Sequence, residues 1–263
     1  MNDDRPLALV TGASGGIGEA LARALASKGH DLMLVARSAD KLQALADELQ
    51  RTHMIKASTM TADLGVPGAG HALAERLAHD NVMVDVLVNN AGFADFGIFH
   101  NADSAKLDSM ISLNIATLTE LMRDLVPGMV KRQRGRVLNV ASTAAFFPGP
   151  LMAVYYATKA YVLSLSEAVG EELKGTGVTV TALCPGPTAS GFQAAAAMEN
   201  SKLFKGRNIP SAQSVADEAV QALLAGKPVI VTGWRNKLSV LSPRFLPRRI
   251  VPGIVKKAQA ANR

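Results

Sequence analysis

Short apolar runs rich in β-branched residues alternate along the chain with longer segments whose apolar positions recur at helical spacing. The runs LALVTG, DLMLVAR, VDVLVNNAG, GRVLNVAS, VTVTALCPG and KPVIVTG each end in Gly, Asn, Ser or Arg and predict strands. Helical periodicity predicts helices around Glu19 to Lys28, Lys41 to Arg51, His71 to His79, Leu107 to Val130, Tyr155 to Leu173 and Ser214 to Ala225. Alternation of this kind calls for a parallel sheet with helices on both faces, because each parallel connection needs a crossover. The expected fold class is therefore α/β: a single-domain, doubly wound parallel sheet of Rossmann type in three α/β/α layers, with ligands at the carboxyl ends of its strands. Residues 1–233 form the expected catalytic domain, and 234–263 a basic, apolar tail packed on it.

Composition narrows the classes. A chain of 263 residues that is 48% hydrophobic can bury one sizeable core. Its start, MNDDRPLALV, lacks the basic and apolar regions of a secretory signal, and no run is long enough to suggest a membrane span. The one cysteine, Cys184, cannot form an internal disulfide, and the five histidines are scattered. A soluble cytoplasmic protein without a metal site is expected. The net charge of +6 hides an asymmetry: nine Lys or Arg and no acid follow Glu218, so residues 1–218 are slightly acidic.

The loop TGASGGIG, Thr11 to Gly18, follows the first strand and opens the first helix. Gly12, Gly16 and Gly18 permit a tight turn and close backbone approach, and the helix N-terminus offers unpaired N–H groups to a pyrophosphate, with Ser14 and Ile17 in the same loop. At the end of the second strand, where an NAD site places an acid for the ribose 2′-OH, the chain has Ala36 and Arg37. An arginine there would hold a 2′-phosphate, so the expected cofactor is NADP(H), with Arg37 as main contact and Ser14 and Lys41 as supporting ones.

The stretch AVYYATKA holds two tyrosines beside one lysine. On a helix both Tyr155, four residues before Lys159, and Tyr156, three before it, are neighbours of the lysine, so spacing alone does not choose. The ordered set TGASGGIG, Asp63-Leu64, NNAG at Asn89 to Gly92, Asn114, Ser142, Tyr155-x-x-x-Lys159 and Pro185-Gly186 resembles the short-chain dehydrogenase/reductase family over nearly the whole chain. That resemblance implies Tyr155 as the acid/base, four residues before the lysine and thirteen after the serine. It further implies that Lys159 tunes Tyr155 and holds the nicotinamide ribose, that Ser142 binds the substrate oxygen, and that Asn114 holds a relay water. Asp63, Leu64, Asn90, Ala91, Gly92, Pro185, Gly186 and Thr188 would line the cofactor. A nearby ammonium favours phenolate, so Lys159 is expected to draw the Tyr155 pKa toward neutrality.

In the family, the segment between Ser142 and Tyr155 and a lid, here about 187–212, line the substrate pocket. Phe146, Phe147, Leu151, Met152, Phe192 and Met198, joined by Phe93 and Phe96, would form an apolar wall for a hydrophobic carbonyl or its alcohol. A 3-oxoacyl thioester and a steroid-like ketone are both candidates. Cys184 is expected to be a small buried residue. The tail WRNKLSVLSPRFLPRRIVPGIVKKAQAANR is expected to contact anionic partners, either membrane lipid or the phosphates of a thioester substrate, or else to pack over the pocket or a subunit interface. No nucleic-acid module accompanies its charge. A homo-oligomer, dimer or tetramer, is implied by the resemblance. The rivals are a dinucleotide-sensing protein without catalysis and a membrane scaffold organised by the tail.

Overall fold

The computed structural model describes residues 5–190 and 209–259. Seven parallel strands lie in the order β3-β2-β1-β4-β5-β6-β7. They are β1 Leu7–Thr11, β2 Asp31–Ala36, β3 Ala57–Thr61, β4 Val86–Asn89, β5 Gly135–Val140, β6 Val178–Cys184 and β7 Val229–Val231. The order reverses between β1 and β4, which opens a crevice beyond the carboxyl ends of these two strands.

Strand alternation sends successive side chains to opposite faces, and both faces are buried. Ala8 and Val10 of β1 join Leu32 and Leu34 of β2 in one core, under α1 (Gly16–Ser27), α2 (Ala39–His53) and α7 (Ala212–Leu224). Leu9 and Val35 point into the other core, against α3 (Ala69–His79), α5 (Leu118–Lys131) and α6 (Ala153–Glu172). Beneath that second helical layer the Asn139 amide donates to Ser166 Oγ at 2.9 Å and accepts from the Asn89 amide at 2.9 Å, which ties β4, β5 and α6 together.

Two features depart from the sequence pattern. Strand β3 is absent from the six apolar runs because ASTMT is an edge strand, half polar and only partly covered. The helix expected over Leu107 to Val130 is α4 (Ser104–Ile111), a π-helical segment at Ser112–Thr117, and then α5. Single π turns inside helices re-aim side chains, and Asn114 sits in this one. After β7 the tail forms α8 (Trp234–Leu241) and α9 (Val251–Gln259), joined by a link containing Pro243 and Pro247. None of the described helices is long and apolar enough to cross a membrane, and no group of three or more His, Cys, Asp or Glu among the described residues could hold a metal ion.

Candidate active site

The loop after β1 is shaped by two close approaches. Gly12 has φ +67°, and a Cβ there would lie 2.8 Å from the Asn90 amide nitrogen. At Gly18 a Cβ would stand 2.2 Å from the Gly12 carbonyl oxygen, so only glycine lets the start of α1 pack under the loop. The Asn90 side chain donates to Thr11 O at 2.9 Å and Gly12 O at 3.2 Å, while Thr11 Oγ1 accepts from the backbone N–H of Asn90 and of Ala91, each at 3.0 Å. Asn90 therefore braces the loop with its side chain. Gly15 behaves differently: it caps α1 with no side-chain hydrogen bond, and a Cβ on it would meet nothing within 4 Å. This open space over uncapped helical N–H groups fits a pyrophosphate.

On the β2 side, Arg37 and Lys41 are exposed, and neither they nor Ser14 form a side-chain hydrogen bond among the described residues. Asp63 turns its carboxylate back onto the Gly65 N–H at 2.9 Å. Leu64 places its side chain in the core and its carbonyl under Thr117 Oγ1 at 2.8 Å, so the strand end at Asp63-Leu64 offers a ligand mainly backbone.

Four polar groups converge beyond β4 and β5. Lys159, 6% exposed, donates from Nζ to Val140 O at 2.8 Å. A Cβ on Gly92 would lie 2.9 Å from Asn114 Oδ1 and 3.5 Å from Lys159 Nζ, so this glycine leaves a hollow that both groups border. The Asn114 amide is fixed from two sides, donating to Phe93 O at 3.0 Å and Thr158 Oγ1 at 3.1 Å and accepting from Phe93 N at 3.2 Å. Thr158 in turn donates to Tyr155 O at 2.8 Å. Tyr155 is 8% exposed, its ring centroid lies 5.7 Å from Lys159 Nζ, and its phenol hydrogen-bonds with Ser142.

Burial governs the ionisation of these groups. It pushes the Tyr155 phenol well above the ordinary tyrosine range, against the pull of the Ser142 hydrogen bond. The expected pull of Lys159 toward neutrality does not set the direction here: the loss of water around the buried phenol is the largest influence, and it raises the phenol. Lys159 itself is lowered to about 8, again by burial. The Cys184 thiol, fully buried, is pushed up to about 12 and is inert at neutrality. What remains is a protonated phenol, polarised by a serine, with a buried amine nearby: a constellation able to give a proton to a carbonyl oxygen.

The side chains expected to form an apolar wall take several positions. Phe93 and Phe96 pack with Met152 and Tyr155, and Phe146 packs into the core under α6. A groove reaching Tyr155 is lined by Leu151 and Met152 and by Phe99, Leu107 and Met110, three residues that lie on segments without a motif. Leu151 has φ +70°, a strained conformation beside the site. Phe192 and Met198 lie outside the described residues.

The tail also enters the site. Asn236 Nδ2 sits 2.3 Å from where a Cβ of Gly186 would be, so this strand-end glycine admits α8. Tyr156 lies flat on Gly149 and accepts a hydrogen bond from Gln259 of α9, a residue 1% exposed. The two tyrosines thus diverge: Tyr155 faces Ser142, and Tyr156 holds the tail. Neither Asn236 nor Gln259 carries a sequence signal, because an amide in a basic tail looks like surface until its partner is placed. Thr188 folds back onto Gly186 O at 2.9 Å.

Residues 6–201 match the family model described as short chain dehydrogenase. An uncharacterized oxidoreductase of Staphylococcus epidermidis is 31% identical over 217 residues, covering 82% of this chain and 90% of that one. The very-long-chain 3-oxoacyl-CoA reductase of Mus musculus is 28% identical over 258 residues, 95% of this chain and 79% of the relative. Among solved structures, a short-chain dehydrogenase from Sphingobium yanoikuyae in complex with NADPH aligns with a TM-score of 0.81 and 31% identity, over 98% of this chain and 99% of that one.

The two glycines of the first loop separate packing from binding. Gly18→Ala is expected to cost about 1–3 kcal/mol of stability by overpacking and to lose dinucleotide affinity with it. Gly15→Ala, at extended φ and facing open space, should keep the denaturation midpoint of the parent. Urea unfolding and cofactor titration of both variants check this.

Proposed function

This chain belongs to the short-chain dehydrogenase family of oxidoreductases, which act on CH–OH groups with a nicotinamide dinucleotide, and we propose that it uses NADP(H) on a hydrophobic carbonyl or secondary alcohol with Tyr155 as acid/base. The observation that carries this reading is the buried Tyr155 phenol, hydrogen-bonded by Ser142, with Lys159 Nζ 5.7 Å from its ring. Gly12, Ser14, Gly16, Ile17 and Gly18 would hold the pyrophosphate; Asp63, Leu64, Asn90, Ala91 and Gly92 would line the adenine and ribose path. Arg37 and Lys41, uncommitted to other described residues, would hold the 2′-phosphate. Lys159, Pro185, Gly186 and Thr188 would border the nicotinamide. The bound cofactor supplies or accepts the hydride.

The chain's own residues manage the proton and the orientation. Ser142 donates to the substrate oxygen and keeps it at the phenol. Tyr155, protonated because it is buried, gives its proton to that oxygen in the reductive direction and takes it back in the oxidative one. Lys159 orients the ribose and stabilises the phenolate left after donation. Asn114, clamped by Phe93 and Thr158, borders the hollow at Gly92 and would hold the water that returns a proton to Lys159. The groove of Phe99, Leu107, Met110, Leu151 and Met152 has one acid, Asp95, which pairs with Lys106 and so is not free to recognise a charged substrate. That supports an apolar substrate. A 3-oxoacyl thioester is favoured as a specific class by the activity named for the mouse relative. A homo-oligomer, as is common in the family, is proposed with it.

Three outcomes test the reading. With NADPH and a panel of apolar ketones and 3-oxoacyl thioesters, Tyr155→Phe should lose on the order of 10²–10⁴ in turnover with cofactor affinity retained. Tyr156→Phe should lose little, because its hydroxyl serves Gln259; equal loss in both variants overturns the assignment. Arg37→Asp should reverse the preference for NADPH over NADH in kcat/KM, and an unchanged ratio would remove Arg37 from the cofactor site. For the pH profile, Lys159 must be an ammonium, and its pKa is lowered to about 8. Reductive kcat/KM should therefore be level below that value and fall as pH rises through it, whereas Tyr155, shifted upward, adds no limb of its own near neutrality.

A further inference from the structure

Half of the exposed large apolar side chains among the described residues lie in one segment, Trp234 to Ile254. On α8, Trp234, Leu238 and Leu241 follow the i, i+4, i+7 spacing that ordinarily faces a core, yet all three point to water. Phe245 and Leu246 continue the face through the link, Phe245 being 83% exposed, and Ile250 and Ile254 extend it onto α9. The segment is not loose chain. Its opposite side is docked: Val240, Val251 and Gln259 are buried, and Asn236 and Gln259 reach Gly186 and Tyr156.

The charge on this segment has one sign. Arg235 and Lys237 lie on α8, Arg244, Arg248 and Arg249 in the link, and Lys256 and Lys257 on α9; all are exposed, and the sequence holds no acid after Glu218. Arg235 stacks over the Trp234 ring at 5.3 Å, so cation and aromatic are presented together. A two-fold contact between copies would set this patch against itself, like charge on like charge. An anionic lipid surface meets both halves, its headgroups pairing with the basic residues while its acyl boundary takes the apolar ones.

We propose that the outer face of the C-terminal helices is a peripheral docking site for anionic lipid bilayers. The proposal is independent of the catalytic reading, and its test needs neither cofactor nor substrate. Trp234, the only tryptophan in the chain, lies within the face and reports on it directly. With vesicles of equal parts phosphatidylglycerol and phosphatidylcholine, the intact protein should sediment and its emission should shift to the blue. Pure phosphatidylcholine vesicles, or high salt, should weaken both responses at least tenfold. The double variant Leu238→Ser, Phe245→Ser, with all charges kept, should lose the blue shift while melting like the parent. Failure to sediment with anionic vesicles at low salt would overturn the proposal. Sedimentation without a blue shift would overturn it too, reducing the contact to diffuse charge attraction. A blue shift without vesicles that grows with protein concentration, and a doubled mass in light scattering, would assign the face to a second copy of the chain instead.

Discussion

The site depends on one buried amine. Lys159 sits beneath the surface with a single hydrogen bond to Val140 O, and its pKa falls from 10.5 to about 8, a cost of roughly 3 kcal/mol if it stays charged at neutrality. A charge-assisted bond returns only about 1.5–3 kcal/mol, so the placement does little for folding. Its surroundings are explained by the need to make room for it. A Cβ on Gly92 would crowd Asn114 Oδ1 at 2.9 Å and take up the space beside Lys159; the helix across the site contains a π turn at Asn114; and Thr158 links that amide to the backbone of Tyr155. Polar groups that look redundant singly form one frame around a cation that water does not stabilise.

The same economy governs the dinucleotide side. The order reversal between β1 and β4 opens the crevice, and the strands' end residues then divide between holding the crevice and serving it. Asn90 and Leu64 hold it, the first bonded to the loop after β1 and the second buried beneath the site. Gly15 leaves space over helical N–H groups, and Arg37 stays uncommitted. A motif residue can thus brace the crevice with its side chain and leave its backbone for a ligand.

How much was legible in the sequence follows from where each signal originates. Five of the strands, β1, β2, β4, β5 and β6, are legible because both sides of the sheet are buried there; β7, an edge strand of intermediate burial, is legible because its three residues are all apolar, whereas β3, at the other edge, alternates with Ser and Thr and does not stand out. The proposed catalytic set could be read because it is carried by short motifs at fixed spacing. Phe99, Leu107 and Met110 could not be, since they reach the groove only through the path of the chain after β4. The ionisation of Tyr155 is not legible for a related reason: sequence spacing supplies a neighbouring charge but not the depth of burial, and burial is the larger influence on the phenol. Asn236 and Gln259 depend on contacts made more than forty residues away along the chain.

The proposed chemistry and the proposed substrate wall thus sit on different parts of the molecule. The proposed proton path lies on α6 and the end of β5, elements locked between two cores, where a small displacement would break hydrogen bonds near 3 Å. The proposed substrate wall lies on the segments after β4 and β5, one of which carries the strained Leu151, and these can change without disturbing the sheet. The tail belongs to the variable part by its outer face and to the fixed part by its inner one: through Gln259 it holds Tyr156, the residue next to the proposed acid, so a change in how the tail is seated would act on the loop at Gly149 before it reached Tyr155.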